Sequence, residues 1–86
     1  AKAGQEAGLS AEMAMQLAAA TVSGAGELAR QADDEAAVLR KNVTSPGGTT
    51  AAALEVLMAE SDGLQQLMTR AVAAAADRSR ELAKLA

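Results

Sequence analysis

The sequence predicts an all-α domain of four to five helices over residues 1–86, and three observations support this prediction. Apolar residues recur at helical spacing along most of the chain, and no segment has the pattern of a strand. Nearly every loop-forming residue type, including the only proline, is concentrated at residues 42–48. A chain of 86 residues suffices for one compact domain, so we expect a single one.

Two helices are predicted in the N-terminal part of the chain. Residues 1–7 favour a helix, and Gly8 follows at a position suited to a left-handed C-cap. Ser10 is a good N-cap for a long helix over residues 11–32. Gly24 and Gly26 inside it would each cost about 1 kcal/mol relative to Ala in an exposed helix. Their presence predicts that another helix passes close by.

Three further helices are predicted on either side of the 42–48 loop. Asp34 can cap a short helix that ends near Arg40. After the loop, one helix begins at Thr49 and runs to about residue 60, and Asp62 can cap the last helix. The last helix carries an apolar stripe formed by Leu64, Leu67, Met68, Ala71, Val72, Ala75, Leu82 and Leu85.

The composition restricts the classes of function. Without Phe, Trp or Tyr the buried layer consists of small aliphatic side chains and Met, so we expect an oligomer rather than a lone monomer. The absence of Cys and His removes thiolate chemistry, the usual zinc ligands and side chains that ordinarily titrate near neutral pH. The net charge of −3 is spread along the chain, and no uncharged stretch could span a bilayer. We expect no metal, nucleic acid or membrane partner.

Residues 45–50, with the sequence SPGGTT, join a glycine turn to a helix start. Glycine lets the backbone approach a ligand closely, and the first N–H groups of a helix are unpaired and partially positive. An anion can bind there, and Ser45, Thr49 and Thr50 add hydroxyl groups. A glycine turn before Thr is also an ordinary helix start, so the residues alone leave both interpretations open.

A family resemblance favours the binding interpretation. The run VTSPGGTTAAAL at 43–54, followed by apolar residues at 56–57, resembles the signature of pyrroline-5-carboxylate reductases. Residues 7–10 and 16–25 resemble the helix that precedes this signature, and residues 76–82 resemble the family's C-terminal helix. The resemblance therefore covers nearly the whole chain.

The resemblance implies the dimerisation domain of a cytoplasmic oxidoreductase that reduces 1-pyrroline-5-carboxylate to L-proline with NADPH or NADH. In that family a Rossmann domain precedes a helical half, which is like the C-terminal domain of 6-phosphogluconate dehydrogenase and interleaves with a second subunit. The homodimers often assemble into decamers. This chain has no strand followed by a dinucleotide-binding glycine motif, so we expect none of its residues to bind the cofactor.

The resemblance also implies roles for individual residues. The Ser45 hydroxyl and the backbone N–H groups of Gly48, Thr49 and Thr50 are expected to bind the substrate carboxylate, with Val43 in the same site. Thr50 is the catalytic candidate, because its hydroxyl is expected to point at the ring nitrogen. A protonated pyrrolinium ring is already electrophilic, so the reaction needs no histidine.

Two interpretations of the whole chain follow. The chain begins inside a helical pattern, which indicates a truncated product that is inactive without its nicotinamide-binding half. The rival hypothesis is a stand-alone helical interaction module, in which the glycine loop is only a connector. A Rossmann motif upstream of Ala1 in the parent reading frame would separate these hypotheses.

Overall fold

The computed structural model describes residues 1–85, which form five α-helices and no strand. The helices are α1 (Lys2–Glu6), α2 (Ala11–Gln31), α3 (Ala36–Asn42), α4 (Thr49–Leu57) and α5 (Leu64–Leu85). The predicted all-α class is confirmed. Two compact units are present, Ala1–Arg40 and a second that begins at Lys41. No helix in the described part of the chain is long and apolar enough to cross a bilayer.

A glycine turn ends α1 and an N-cap begins α2. Gly8 has a φ of 113°, which confirms the predicted positive φ at this position. Its N–H donates to the Gln5 carbonyl and the Leu9 N–H donates to the Gly4 carbonyl, both at 3.0 Å, the pairing of a Schellman motif. The Ser10 side chain then accepts a hydrogen bond from the Met13 N–H at 3.1 Å, which confirms Ser10 as the N-cap.

The first unit is held together where α1 crosses α2. Ala14 is the one apolar side chain of the described residues that is fully buried, at 2% exposure. A Cβ at Gly4 would lie 3.3 Å from the Ala14 Cβ and 3.2 Å from a Leu9 methyl carbon. Glycine at position 4 therefore lets the short helix α1 approach α2 closely.

The C-terminal part of α2 is exposed and ends in a small polar cluster. The Arg30 guanidinium bonds the Glu27 carboxylate at 2.6 and 3.1 Å, and the Gln31 amide bonds it at 2.6 Å. The Arg30 hydrogen bonds, followed by that of Gln31, lower the pKa of Glu27. Within the described chain, nothing lies within 4 Å of a Cβ placed at Gly24 or Gly26. The close approach of another helix to Gly24 and Gly26 therefore stays a prediction, and a second copy of the chain could supply that helix.

The short helix α3 differs from its predicted bounds at both ends. The Val38 and Leu39 N–H groups donate to the Glu35 carbonyl at 3.0 and 3.1 Å, so Glu35 rather than Asp34 precedes the first helical residue. The helix also continues two residues beyond Arg40. Cationic side chains stabilise the negative C-terminal end of a helix, which agrees with this continuation through the basic pair at 40–41.

In the second unit, α4 ends at Leu57, three residues before its predicted end, which corrects that boundary. The Met58 N–H still donates to the Leu54 carbonyl at 2.8 Å. The next donor, the Ala59 N–H, bonds the Val56 carbonyl at 3.3 Å, so the final turn tightens from i−4 to i−3 bonding. A run of turns then leads to α5.

The start of α5 also corrects the predicted N-cap. The first helical hydrogen bond runs from the Leu67 N–H to the Gly63 carbonyl at 3.2 Å, so Gly63 and not Asp62 occupies the N-cap position. Gly63 is buried against the backbone of the preceding turn. The chain completes this tight turn before it becomes helical, which delays the helix by one residue.

Helix α5 is amphipathic and its apolar stripe is uncovered. Its polar face carries two ion pairs, Arg78 with Glu81 at 2.9 Å and Arg80 with Asp77 at 2.8 Å. Its large apolar side chains are 48% to 77% exposed, and they are Leu64, Leu67, Met68, Val72, Leu82 and Leu85. This much exposed apolar surface marks a binding surface for another protein.

Candidate functional site

The 45–50 loop forms a tight turn before α4. Pro46 and Gly47 are its two central residues, Gly47 has a φ of 72°, and the Gly48 N–H donates to the Ser45 carbonyl at 3.0 Å. A proline followed by a residue of positive φ inside such a hydrogen bond is the pattern of a type II β-turn. The proline fixes φ and glycine accepts the left-handed backbone, so the sequence itself dictates the turn.

A side chain at position 48 would crowd the turn. A Cβ there would lie 3.2 Å from the Ser45 carbonyl oxygen and 3.4 Å from the Ser45 Cβ. The hydrogen bond to Ser45 also engages the Gly48 N–H. Binding of a substrate carboxylate by the Gly48 N–H stays a prediction, and in the single chain this N–H donates within the turn. Gly48 favours this turn because it has no side chain that would crowd Ser45.

The first turn of α4 presents unpaired N–H groups. Gly48 is the N-cap and has no side chain that could cap the helix. The first bond of the helix is made by the Ala52 N–H to the Gly48 carbonyl at 3.1 Å. The N–H groups of Thr49, Thr50 and Ala51 therefore have no acceptor in the described part of the chain. The helix dipole adds partial positive charge at this end, so the turn can bind an anion.

Three hydroxyl groups of the turn, those of Ser45, Thr49 and Thr50, are also unpaired within residues 1–85. Ser45 and Thr49 are exposed, Thr50 is half-buried, and none of their hydroxyls forms a hydrogen bond within residues 1–85. In contrast, the hydroxyls of Thr21 and Thr69 bond the carbonyl one turn earlier in their own helices, at 2.7 and 2.8 Å. Hydroxyls that make no intramolecular bond remain able to bond a ligand.

The structure brings most of the predicted site residues to one place. Ser45, Gly48, Thr49 and Thr50 lie within the turn and the first helical positions of α4. Val43 precedes the turn and is 64% exposed. The Ala51 N–H was not among the predicted donors, although the position of the N-cap indicates it.

Residues 1–85 contain neither a dinucleotide-binding motif nor a cluster of metal ligands. They contain no strand, so the strand, glycine loop and helix that bind a dinucleotide phosphate are not formed by them. No group of three or more Asp or Glu side chains within residues 1–85 could hold a metal ion.

Comparison with known proteins identifies the family. A family model described as pyrroline-5-carboxylate reductase dimerisation matches residues 1–82. The chain belongs to this reductase family. Pyrroline-5-carboxylate reductase of Pseudomonas aeruginosa is 44% identical over 82 residues, which are 95% of this chain and 29% of the relative. No solved structure matches the chain significantly.

Relatives from two other organisms belong to the same family. The Arabidopsis thaliana pyrroline-5-carboxylate reductase is 43% identical over 81 residues, and pyrroline-5-carboxylate reductase 1 of Bacillus subtilis is 36% identical over 83 residues. These matches cover 94% and 96% of this chain but only 29% and 27% of the relatives. The chain thus spans less than a third of these reductases and matches their C-terminal part. The resemblance read from residues 43–54 is confirmed.

Proposed function

We propose that residues 1–86 are the C-terminal dimerisation and substrate-carboxylate-binding domain of a reductase that converts 1-pyrroline-5-carboxylate to L-proline with NADPH or NADH. The observation that carries this proposal is the set of unpaired N–H and hydroxyl groups at the 45–50 loop. In this proposal a Rossmann domain precedes the chain and holds the nicotinamide. A cytoplasmic location is part of the same proposal.

The substrate carboxylate would bind at the start of α4. The N–H groups of Thr49, Thr50 and Ala51 lie at the end of α4 where the helix dipole is positive, and Ser45 begins the turn that leads into this end. A hydrogen bond to a charged group contributes about 1.5–3 kcal/mol, more than a bond between neutral groups. Several such donors fix both the position and the orientation of the ring.

Thr50 is the residue that connects binding to the reaction. It is half-buried and stands at the second position of α4, beside the proposed carboxylate donors. We propose that its hydroxyl bonds the ring nitrogen. The protonated ring is electrophilic by itself, so the task of these residues is to hold its carbon–nitrogen double bond in a fixed place. This agrees with a chain that has no histidine or cysteine.

Self-association is the second part of the proposed function. The family model describes a dimerisation domain, and large apolar residues of α2 and α5 are exposed in the single chain. We propose that a second copy covers them in an interleaved homodimer, and that dimers can assemble into decamers. The rival hypothesis of a stand-alone interaction module also accounts for the exposed apolar side chains. It gives no role to the unpaired groups at the 45–50 loop.

Alanine variants of the full-length reductase test the proposed site. Ser45→Ala and Thr50→Ala each remove one proposed donor, and kcat/KM for pyrroline-5-carboxylate should fall on the order of tenfold to a hundredfold. Thr21→Ala is the matched control, because it removes only a hydroxyl bonded inside α2, and its kcat/KM should stay unchanged. Circular dichroism and the oligomeric state check that each variant folds. If both loop variants keep the wild-type kcat/KM, the loop only connects two helices and the proposed substrate site is wrong.

The isolated chain gives a second test. On the proposal, the 86-residue chain self-associates but does not reduce pyrroline-5-carboxylate with NADPH or NADH. Reductase activity of the purified chain alone would contradict the assignment of the nicotinamide site to another domain. A folded chain that stays monomeric at micromolar concentration would contradict the dimerisation role.

A further inference from the structure

The turn between α4 and α5, residues 58–63, is closed by backbone contacts at Gly63. Gly63 is buried, and a Cβ at this position would overlap the Ala59 carbonyl oxygen. It would also lie 2.7 Å from the Leu57 carbonyl oxygen and 2.9 Å from the Ala59 nitrogen. Since these atoms all belong to the backbone, no side chain can move aside to admit a larger residue. The turn would have to open. We call residues 58–63 the α4–α5 elbow.

The side chain of Gln66 in α5 forms a hydrogen bond with the same elbow. The Gln66 amide nitrogen donates to the Glu60 carbonyl at 2.7 Å. The Gln66 amide oxygen is buried without a hydrogen-bond partner in the described residues. The carbonyl of Glu60 can accept but not donate, so it fixes which end of the amide faces it. The first turn of α5 is therefore bonded to the middle of the elbow.

The elbow, rather than packing along the helices, sets the angle between α4 and α5 within the described chain. In the described part of the second unit, α4 and α5 make no more than marginal contact along their lengths. Helix α4 has nine residues and is about 13 Å long, with the 45–50 loop at its far end. A rotation of about 10° at the elbow would therefore move Thr49 by roughly 2 Å. Displacements of this size can abolish a productive binding geometry.

We propose that Gly63 and Gln66 are positioning residues of the reductase: they fix α4 on α5, and so hold the 45–50 loop at the place where the substrate carboxylate must bind. This inference rests on the proposed function of the loop. Neither residue touches the substrate in this account. Their effect is transmitted through the direction of α4.

Steady-state kinetics of the full-length reductase test this inference. Gly63→Ala opens the turn, and Gln66→Glu removes the amide donor while keeping the size of the side chain. Both should raise the KM for pyrroline-5-carboxylate on the order of tenfold, because a displaced loop loses hydrogen bonds to a charged group. The KM for the nicotinamide cofactor should stay unchanged. Gln65→Ala is the matched control, because the Gln65 amide bonds Thr69 within α5, and it should leave both KM values unchanged.

The pattern of kinetic constants separates positioning from stability. A variant that only loses folded enzyme shows a lower apparent kcat with both KM values unchanged, and this result would overturn the inference. If Gly63→Ala does not fold, Gln66→Glu decides the outcome by the same criterion. If Ser45→Ala and Thr50→Ala leave kcat/KM at the wild-type value, the proposed function fails and the inference falls with it. Impaired loop variants together with unchanged elbow variants would refute the elbow alone.

Discussion

Leu67→Ala measures how much the apolar stripe of α5 contributes to self-association. Leu67 is 55% exposed in the single chain, so about half of its surface remains to be buried by a partner. Full burial of a leucine contributes about 1.5–3 kcal/mol, which gives roughly 0.8–1.5 kcal/mol for that half. A twofold interface contains the residue twice, so the change is about 1.6–3 kcal/mol. The dimer dissociation constant should rise ~15-fold to ~150-fold.

Sedimentation equilibrium of the 86-residue chain is the assay for this change. Alanine favours a helix at least as much as leucine, so the variant should keep its helix content in circular dichroism. Arg78→Ala is the control on the polar face of the same helix. Its ion pair with Glu81 is exposed and contributes at most about 1 kcal/mol to folding. Equal dissociation constants for wild type and Leu67→Ala would refute the assignment of Leu67 to the interface.

The other predictions concern α2 and the loop. Gly24→Leu should weaken dimerisation if a second copy crosses α2 there, and an unchanged dissociation constant would remove Gly24 from the interface. Gly47→Ala should destabilise the fold by about 1–2 kcal/mol, because a Cβ disfavours the left-handed backbone, and an unchanged Tm would contradict the turn. The pKa of Glu27, measured by NMR, should lie below the ordinary value for glutamate. Because its folded pKa is lowered, its contribution to stability is present above the unfolded pKa and is lost as pH falls through the folded pKa. A pKa at or above the ordinary glutamate value would contradict the Arg30 contact.

Local signals in the sequence were sufficient to predict most helices. Ser10 is an N-cap residue before an apolar pattern, Gly8 is a suitable C-cap, and Pro46 with Gly47 dictates a turn. Each of these features depends on neighbouring residues alone, and the structure shows all three. The resemblance to the family signature then supplied the hypothesis that the turn binds the substrate carboxylate.

The sequence was least informative where two backbone segments lie close together and their contact decides the conformation. Asp62 is a better N-cap type than Gly63, but the tight elbow admits only glycine and shifts the start of α5. The contact of Gly4 with Ala14 depends on how α1 crosses α2, which periodicity does not reveal. A sequence motif likewise does not specify the hydrogen bond that the Gly48 N–H donates inside its own turn, and its role toward a substrate stays a prediction.

The central claim is that the 45–50 loop recognises the carboxylate of the substrate. Its most direct test compares two substrates of the full-length reductase, pyrroline-5-carboxylate and 1-pyrroline, which lacks the carboxylate. The measurement is the factor by which Ser45→Ala lowers kcat/KM for each. We predict a loss on the order of tenfold or more with pyrroline-5-carboxylate and almost none with 1-pyrroline, because the Ser45 hydroxyl then has no charged partner to lose. The same loss with both substrates would contradict carboxylate recognition by this loop.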